Sequence, residues 1–385
     1  MTLEPRERWS FKTDCRWFRG DGPCVHHKQE GVLCRECGHY QPTSQRLLLV
    51  KLGAMGDVLR TTSLLPSLRS HYTGSRISWV TRGESLDLLR GNPDIDEIIE
   101  YPFPALPRLL VQQYDLVVNL DFDYEGACLA ELAQGARRLG FGCDAEGRLF
   151  ALNPGAQTWC AMSLRDDLKR ANRRSYQELM AEVCETPPAT QASPTLYLTE
   201  EEVEFGRGFA MRHGLSVGGR IVGLNTGAGP RWPMKSWTLD GYERLIALTR
   251  SVLGAKILLL GGPAEEQRHA TLLSRGGPGV YTTGGHNTLR QFASLVRLCD
   301  VVVTGDTLAL HLALALGRKI VALFGPTSQA EIALDGHGVK LSAGLDCEGC
   351  YRRTCDKPVN CANALSAEAV FDGVARMLGQ GHCVR

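Results

Sequence analysis

Short apolar runs alternate with glycine- or threonine-rich turns and with segments of helical periodicity along most of this chain. The first run, 47–50, is wholly apolar, which is typical of a strand buried on both faces, and leucines follow it at helical spacing. Strands that alternate with helices predict parallel sheets covered on both faces by helices. The other predicted strands are 76–80, 97–101, 116–120, 138–141, 221–225, 255–260, 280–283, 301–304 and 319–324.

The length of 385 residues predicts two domains, and a stretch of proline and small polar residues at 186–199 is typical of a linker. We therefore expect two doubly wound α/β domains, at 44–190 and 200–365. A cysteine-rich segment at 1–43 precedes them, and a helix or tail at 366–385 follows them. Within the first domain, the alanine-rich stretch 127–136 is predicted to be a helix.

The charges of 43 basic and 42 acidic side chains nearly cancel, which argues against nucleic acid as the main partner. No apolar run reaches about 18 residues, so no transmembrane helix is predicted. The first residues, Met1 to Arg8, lack the apolar core of a signal peptide. We expect a cytoplasmic protein, and peripheral contact with the cytoplasmic face of the inner membrane stays open.

Fourteen cysteines are many for a cytoplasmic chain and indicate metal ligation rather than disulfides. Eight of them form two groups of four, each with one C-x-x-C pair, in segments too poor in apolar residues to fold by burial alone. We predict a structural zinc, iron or iron–sulfur centre in each group, and the spacing does not choose between them. The alternatives are a loose tail with incidental cysteines for the first group and a reduced, metal-free set of thiols for the second. The groups are Cys15, Cys24, Cys34 and Cys37, and Cys347, Cys350, Cys355 and Cys361.

The turn after the first strand, 52–57, contains two glycines and an aspartate at the start of a helix. Gly53 and Gly56 let a ligand approach the main chain, and a helix N-terminus offers free N–H groups to anions. Asp57 is placed to accept a proton from a ligand at this turn. The alternative is that Asp57 only caps the helix.

A second acidic position follows the strand 116–120, where Asp121 and Asp123 stand two residues apart. Ligands of parallel sheets bind beyond the carboxyl ends of the strands, so this pair should face the same crevice as Asp57. We predict that the pair binds substrate hydroxyls, and the alternative is that it is solvated or caps a helix. In the second half, strands end in turns that offer N–H and hydroxyl donors to phosphates, at 226–229, 261–263, 305–307 and 325–327.

Four motifs together resemble glycosyltransferase family 9, the lipopolysaccharide heptosyltransferases, over about residues 46–380. The second cysteine group also resembles a cluster found in some members, whereas the first group is not a feature of the well-known ones. The motifs are Lys51-Leu-Gly-Ala-Met-Gly-Asp57, the segment Arg76–Tyr101 with Asn92-Pro-Asp-Ile-Asp96, Arg231-Trp-Pro-Met-Lys235-Ser-Trp237, and Gly305-Asp-Thr-Leu-Ala-Leu-His311 with Leu323-Phe-Gly-Pro-Thr327.

The resemblance implies a GT-B fold, in which two Rossmann-like domains face a cleft, and an inverting sugar transfer without a catalytic cofactor. The implied donor is a nucleotide sugar, with ADP-heptose favoured, bound by the second domain, while the acceptor lies against the first. Asp57 would be the general base, and Lys235 would neutralise the departing diphosphate. The other implied site residues are Thr226, Gly227, Glu265, Asp306, Thr307, His311, Gly325 and Thr327 on the donor side, and Gly53, Met55 and Gly56 on the acceptor side.

The sequence departs from the family pattern at Leu308, where many members have glycine, and this puts backbone contacts to the sugar there in doubt. Glu265 and Glu266 both remain candidates for the acid that binds ribose, and His311 could instead be an ordinary core histidine. The acceptor, which could be lipopolysaccharide core, another glycan or a protein, stays open, as does the oligomeric state. Two other functions remain: a nucleotide-sugar epimerase or hydrolase on the same fold, and a non-catalytic metal–thiolate binding module.

Overall fold

A computed structural model describes residues 11–188, 193–215, 219–229 and 231–379. The ends of the predicted cysteine-rich segment and of the C-terminal tail, at 1–10 and 380–385, lie outside the described residues. Part of the predicted linker, 189–192, also lies outside them.

The first domain is built on a sheet that contains six strands among the described residues, in the order β3-β2-β1-β4-β5-β6. All neighbours are parallel except β5 and β6, which pair antiparallel. The strands are β1 (Gln45–Val50), β2 (Ser75–Arg82), β3 (Glu97–Tyr101), β4 (Gln113–Asn119), β5 (Gln134–Cys143) and β6 (Leu149–Ala151). The helices are α1 (Val25–Glu30) in the N-terminal segment, α2 (Met55–Thr61), α3 (Leu65–His71), α4 (Leu86–Leu89), α5 (Ala105–Val111), α6 (Tyr124–Leu132), α7 (Gln157–Leu164), α8 (Asp166–Ala171) and α9 (Tyr176–Val183).

The second domain repeats this plan with a parallel sheet in the order β12-β11-β10-β7-β8-β9. Its strands are β7 (Ile221–Asn225), β8 (Lys256–Leu260), β9 (Val280–Thr282), β10 (Val301–Gly305), β11 (Lys319–Phe324) and β12 (Gly338–Ser342). Its helices are α10 (Glu200–Arg212), α11 (Leu239–Leu253), α12 (Glu266–Gly276), α13 (Leu289–Val296), α14 (Leu308–Ala315) and α15 (Ala367–Met377). The predicted fold class, two doubly wound Rossmann-like domains, is confirmed.

The apolar run of β1 shows why these segments form central strands. Successive side chains of a strand point to opposite faces of the sheet. Leu47 and Leu49 join the core beneath α3 and α9, whereas Leu48 and Val50 join the core beneath α5 and α6. A strand with helices on both faces has no polar side, so its sequence is uniformly apolar.

An apolar cluster crosses from one domain to the other. Leu59 of α2 and Leu88 of α4 pack in one cluster with Val296 of α13 and with Leu310 and Leu314 of α14. The start of α2, which carries the predicted base, is thereby held against the helix that carries the predicted donor residues.

The predicted helix at 127–136 is too long at its C-terminal end. The helix α6 ends at Leu132, and β5 begins at Gln134, where it pairs with Gln113 of β4. Alanine favours a helix locally, but the pairing of β5 with β4 overrides that preference. No helix within the described residues is long and apolar enough to cross a membrane.

The C-terminal helix α15 packs on the second sheet, and Phe371 is fully buried there. We expect Phe371→Ala to lower the free energy of unfolding of this domain by about 3–5 kcal/mol, because it removes a large side chain and leaves a cavity. Urea unfolding followed by circular dichroism measures this loss. Arg376→Ala on the exposed face of the same helix is the control and should change stability little. Equal losses in the two variants would show that α15 does not stabilise the domain through its buried face.

Candidate active site

A buried ion pair organises the turn between β1 and α2. Lys51 directly follows β1, and its Nζ lies 2.6 Å from Oδ1 of Asp121, which follows β4. Oδ2 of Asp121 accepts hydrogen bonds from the backbone N–H groups of Leu52 and of Gly53, the latter at 3.1 Å. A Cβ added to Gly53 would lie 2.9 Å from Asp121 Oδ1, so only glycine fits there. Asp121 is neither solvated nor a helix cap, because its two oxygens hold the turn in place.

Asp123, two residues further on, does cap a helix. Its Oδ1 accepts the backbone N–H of Gly126 at 2.8 Å in the N-cap position of α6. The structure therefore separates the two acids that were predicted to act as a pair. Asp123 caps a helix, which was the alternative to the predicted binding of substrate hydroxyls. Asp121 positions the loop.

Asp57 lies in the first turn of α2, but Ala54 occupies the N-cap position. The Asp57 carboxylate instead lies 2.9 Å from Nη2 of Arg60, and its side chain remains 38% exposed. The capping alternative for Asp57 is therefore not what the structure shows. Arg60 also stacks on the ring of Tyr176, with Cζ 3.9 Å from the ring centroid.

The charges around Asp57 come from both domains. Partial burial raises the pKa of Asp57, but the nearby charges of Arg60, Lys51, His311 and Lys235 outweigh burial and lower the pKa to about 2. The carboxylate is thus ionised at neutral pH and able to accept a proton. Lys235 and His311 belong to the second domain, so the two halves of the predicted site meet at Asp57.

On the predicted donor side, Lys235 and Asp306 form an ion pair, as Lys51 and Asp121 do in the first domain. Nζ of Lys235 lies 2.7 Å from Asp306 Oδ2 and 3.0 Å from the Asp306 carbonyl oxygen. Thr327 donates its hydroxyl to the same carboxylate oxygen at 3.0 Å. Burial raises the pKa of Asp306, but the nearby positive charge, chiefly that of Lys235, outweighs burial and lowers the pKa below its usual value, so this acid is also ionised. Three of the predicted donor residues, from three different turns, thus form one hydrogen-bonded cluster.

Other predicted donor residues surround the carboxyl end of β7. Nδ2 of Asn225 donates to the Gly227 carbonyl oxygen at 2.9 Å and to the Thr307 hydroxyl at 3.2 Å. The Glu265 side chain lies over Gly227, where a Cβ would collide with it. Thr226 is fully buried, and its hydroxyl bonds to His269 at 3.0 Å, so this side chain is engaged within the protein.

The domains touch at Gly56 and His311. A Cβ on Gly56 would lie 2.9 Å from Cδ2 of His311, so glycine permits the close approach of α2 and α14. His311 is 5% exposed, and its Nδ1 has no hydrogen-bond partner among the described residues. Burial and the charge of Arg60 lower the pKa of His311 to about 4. A neutral imidazole whose Nδ1 lacks a hydrogen-bond partner is therefore buried beside Asp57. An ordinary core histidine has its ring nitrogens hydrogen-bonded, so His311 differs from one.

The two cysteine groups each line one cavity. The cavity of the first group has a volume of about 470 Å³, and that of the second about 300 Å³. All eight thiols are free. Among the described residues, no three cysteine sulfurs lie within 4.8 Å of one another, so the closed four-cysteine sites predicted from the sequence are not formed in the structure.

Within the described chain, only His26, Glu30 and His39 bring three potential metal ligands that close together. The two imidazoles, however, stack with centroids 3.9 Å apart and an interplanar angle of 4°. The lone pair of an imidazole lies in the ring plane, so two parallel stacked rings cannot both direct a lone pair at one ion. We interpret this trio as a hydrogen-bonded cluster, in which His39 Nε2 lies 2.9 Å from Glu30.

The second cysteine group supports the loop that carries the predicted donor residues Gly325 and Thr327. A Cβ on Gly325 would meet the sulfur of Cys361, and the backbone N–H of Gly349 donates to the Gly325 carbonyl oxygen at 3.0 Å. The backbone N–H of Tyr351 donates to the Pro326 carbonyl oxygen at 2.7 Å. The cysteine loop thus wraps the segment that ends in Thr327.

Sequence reasoning did not single out Arg60, Asn225 or the positioning role of Lys51. The signal for Arg60 was its place three residues after Asp57 on one helix, where side chains are neighbours. Asn225 and Lys51 each stand at the carboxyl end of a predicted strand, where ligands of such sheets bind. Gly53, Met55 and Gly56 lie where the turn was predicted, and partly buried Met55 packs against the interdomain cluster.

Residues 105–358 match the model of the family described as "Glycosyltransferase family 9 (heptosyltransferase)". The chain belongs to glycosyltransferase family 9. It is 26% identical over 307 residues to lipooligosaccharide heptosyltransferase 2 of Haemophilus influenzae. The matched region covers 73% of this chain and 84% of that protein. The chain is thus a glycosyltransferase, as its motifs predicted.

Solved structures share the fold of this glycosyltransferase. The family 9 glycosyltransferase of Veillonella parvula superposes with a TM-score of 0.71 at 20% identity, covering 87% of this chain and 98% of that one. The iron-containing dodecameric TibC of enterotoxigenic Escherichia coli superposes with a TM-score of 0.54 at 14% identity, covering 88% and 77%. TibC has also been solved with ADP-D-β-D-heptose. The predicted GT-B fold is confirmed.

The lowered pKa of His311 makes stability depend on pH in a defined direction. Between about pH 4 and 6.5 the unfolded chain binds a proton at this histidine that the folded chain does not, so stability is lost as the pH falls through this window. The full loss is about 3 kcal/mol. We expect His311→Gln to flatten the fall of the unfolding midpoint between pH 6.5 and 4.

Buried His269, whose pKa burial also lowers, is present in both proteins and cancels in this comparison. His286→Gln, at a side chain that is 84% exposed, is the matched control and should keep the slope of the parent. An unchanged slope in His311→Gln would show that His311 is not held neutral in the folded state.

Proposed function

We propose that this glycosyltransferase transfers heptose from ADP-heptose, with inversion, to a hydroxyl group of a lipopolysaccharide core acceptor. The observation that carries the proposal is the meeting of Asp57 with Lys235, Asp306 and His311 across the domain interface. The lipooligosaccharide heptosyltransferase relative supports the acceptor class, and the structure of TibC with ADP-heptose supports the donor. A lipid-linked acceptor would approach from a membrane surface.

In the proposed reaction the acceptor oxygen attacks the anomeric carbon while the bond from that carbon to the diphosphate oxygen breaks. The acceptor proton passes to the carboxylate of Asp57, and ADP leaves with the electron pair of the broken bond. Asp57 is suited to this step because it is ionised and partly exposed. Lys235 is suited to receive the diphosphate because a positioned cation stabilises the growing negative charge.

The donor residues would contribute through a small rearrangement. Lys235 is paired with Asp306 in the free protein, so the diphosphate competes with that carboxylate for the ammonium group. Thr327 and Thr307 stand beside the pair, and the free Nδ1 of neutral His311 offers one more polar contact. Glu265, whose Oε2 accepts the Gly262 N–H at 2.8 Å, is the acid beside the Gly227 turn that we assign to the ribose. Glu266 instead faces His286.

We also propose that both cysteine groups hold a structural metal centre, with no catalytic cofactor in the cleft. In each group, four free thiols line one cavity, which supports this proposal. The fold neighbour TibC is iron-containing, which supports iron among the metals that the thiols could hold.

Asp57→Asn should reduce transfer about 10²- to 10⁴-fold, because an amide cannot accept the proton. Thermal stabilisation by ADP should be retained, since Asp57 is assigned to the acceptor side. Single-turnover transfer of heptose from ADP-heptose to a lipopolysaccharide core acceptor measures the loss. Asp123→Asn is the control, because asparagine caps helices as well as aspartate does. Parent-like transfer by Asp57→Asn would exclude the base role, and heptose release without acceptor would favour a hydrolase.

Lys235→Ala should weaken ADP binding and lower turnover about 10²- to 10³-fold, because the diphosphate is charged in both the ground state and the transition state. Arg231→Ala is the matched control: Arg231 is exposed and lies in the same motif, four residues before Lys235. Titration with ADP and single-turnover rates measure the two effects separately. Loss of transfer in Arg231→Ala but not in Lys235→Ala would show that Arg231, rather than Lys235, binds the diphosphate.

A further inference from the structure

The N-terminal segment has a defined backbone but no core of its own. Between residues 11 and 46 no described residue is buried. The segment contains one six-residue helix, α1, one 3₁₀ turn at Cys34–Glu36 and a single bridge between Cys15 and Pro42. Segments that bury so little apolar surface need a cross-link or a bound metal to hold one conformation.

The four cysteines of this segment converge although they are far apart in sequence. Cys15 lies on the bridge to Pro42, and Cys24 occupies the N-cap of α1. Cys34 begins the 3₁₀ turn, and Cys37 directly follows it. All four line the same cavity, and all four are free thiols. The backbone N–H of His27 donates to the sulfur of Cys24 at 3.5 Å, as N–H groups do to metal-bound thiolates.

The dimensions of the cavity exceed what one ion needs. Ligands of a single zinc ion, at about 2.3 Å from the metal, lie no more than about 4 Å from one another. No three of these sulfurs come within 4.8 Å of one another, and all four line the cavity of about 470 Å³. Thiolates spaced in this way suit a centre of several metal atoms better than a single ion.

The lining distinguishes this cavity from the one of the second cysteine group. Apolar side chains, among them Trp17, Phe18 and Leu33, surround the first cavity, and none of its cysteines is fully exposed. The second cavity is smaller, contains exposed Cys355, and is lined by charged side chains: Asp166, Arg170, Glu348, Arg352, Asp356 and Lys357. Iron–sulfur clusters are held by cysteine thiolates, and their surroundings and solvent exposure tune them, so the apolar cavity suits a cluster better.

The segment docks at the amino ends of the strands of the first sheet, opposite to the cleft. Arg76, at the start of β2, donates to the carbonyl oxygens of Arg16 and Phe18, the latter at 3.2 Å. Arg16 in turn pairs with Asp96, which directly precedes β3. Asp57 follows the carboxyl end of β1, so the six or more residues of a strand separate the two sites by about 20 Å or more.

We propose that Cys15, Cys24, Cys34 and Cys37 hold a polynuclear iron–sulfur cluster of the four-iron, four-sulfide class, remote from sugar transfer. This inference rests on the proposal that the group ligates metal, and it adds the identity of the centre and its independence from the cleft. Loss of the cluster should loosen the segment and its contacts with Arg76 and Asp96, while the residues around Asp57 keep their positions.

The test uses the full chain purified without oxygen, with iron, zinc and acid-labile sulfide measured per chain. Cys347→Ser/Cys350→Ser disables the second group and should retain about four iron and about four sulfide. Its dithionite-reduced form should give the electron paramagnetic resonance signal of a reduced cluster. Cys34→Ser/Cys37→Ser, the matched variant, should lose the sulfide and that signal. Its transfer rate should stay within about threefold of the parent.

The possible failures are distinct. Zinc or iron near one equivalent without sulfide in Cys347→Ser/Cys350→Ser would overturn the cluster but keep metal ligation. No metal in that variant would overturn both. If Cys34→Ser/Cys37→Ser does not fold, the sulfide content of Cys347→Ser/Cys350→Ser still decides the identity of the centre, and its absence overturns the proposal. A large loss of transfer in a folded Cys34→Ser/Cys37→Ser would overturn the independence from the cleft, whereas the role of Asp57 is tested by its own variant.

Discussion

The buried ion pair of Lys51 and Asp121 fixes the geometry on which the site depends. Both side chains are about 95% buried, so each charge requires the other, and loss of one partner would leave an unpaired buried charge. Although burial lowers the pKa of Lys51, the charge of Asp121 outweighs burial and raises it, so the ammonium group stays charged. Through the N–H groups of Leu52 and Gly53 the same carboxylate fixes the turn that leads into α2 and thereby the position of Asp57.

This arrangement creates a conflict that substrate binding must resolve. A general base works best with a pKa near the working pH, yet the cations around Asp57 hold its pKa at about 2. One of those cations, Lys235, faces the proposed donor site. When a diphosphate draws the charge of Lys235 toward itself, the field on Asp57 weakens and its affinity for a proton increases. Donor binding would thus raise the pKa of the proposed base on the opposite domain, which couples the two halves of the cleft without a moving loop.

The sequence predicted most of the framework and part of the site, for identifiable reasons. Strands buried on both faces, such as β1 and β7, appear as apolar runs, because burial alone decides their composition. The border between α6 and β5 was missed because it depends on pairing with β4. Asp121 and Asp123 look alike in sequence, and only the distant Lys51 gives them different roles. The stacking of Arg60 on Tyr176 joins residues more than a hundred positions apart, which no local pattern reveals.

The direction of the parallel strands also separates the two kinds of chemistry in this chain. Carboxyl ends of both sheets carry the charged turns that form the cleft, and the second cysteine group supports one of those turns through Gly325. The first cysteine group is anchored by Arg76 and Asp96, at the amino ends of β2 and β3. A centre at the amino ends of the strands can be added without disturbing the residues proposed to act on the sugar, because the sheet lies between them. Its anchors are residues of the 76–101 segment that resembles family 9, so an existing surface of the fold supplies the attachment.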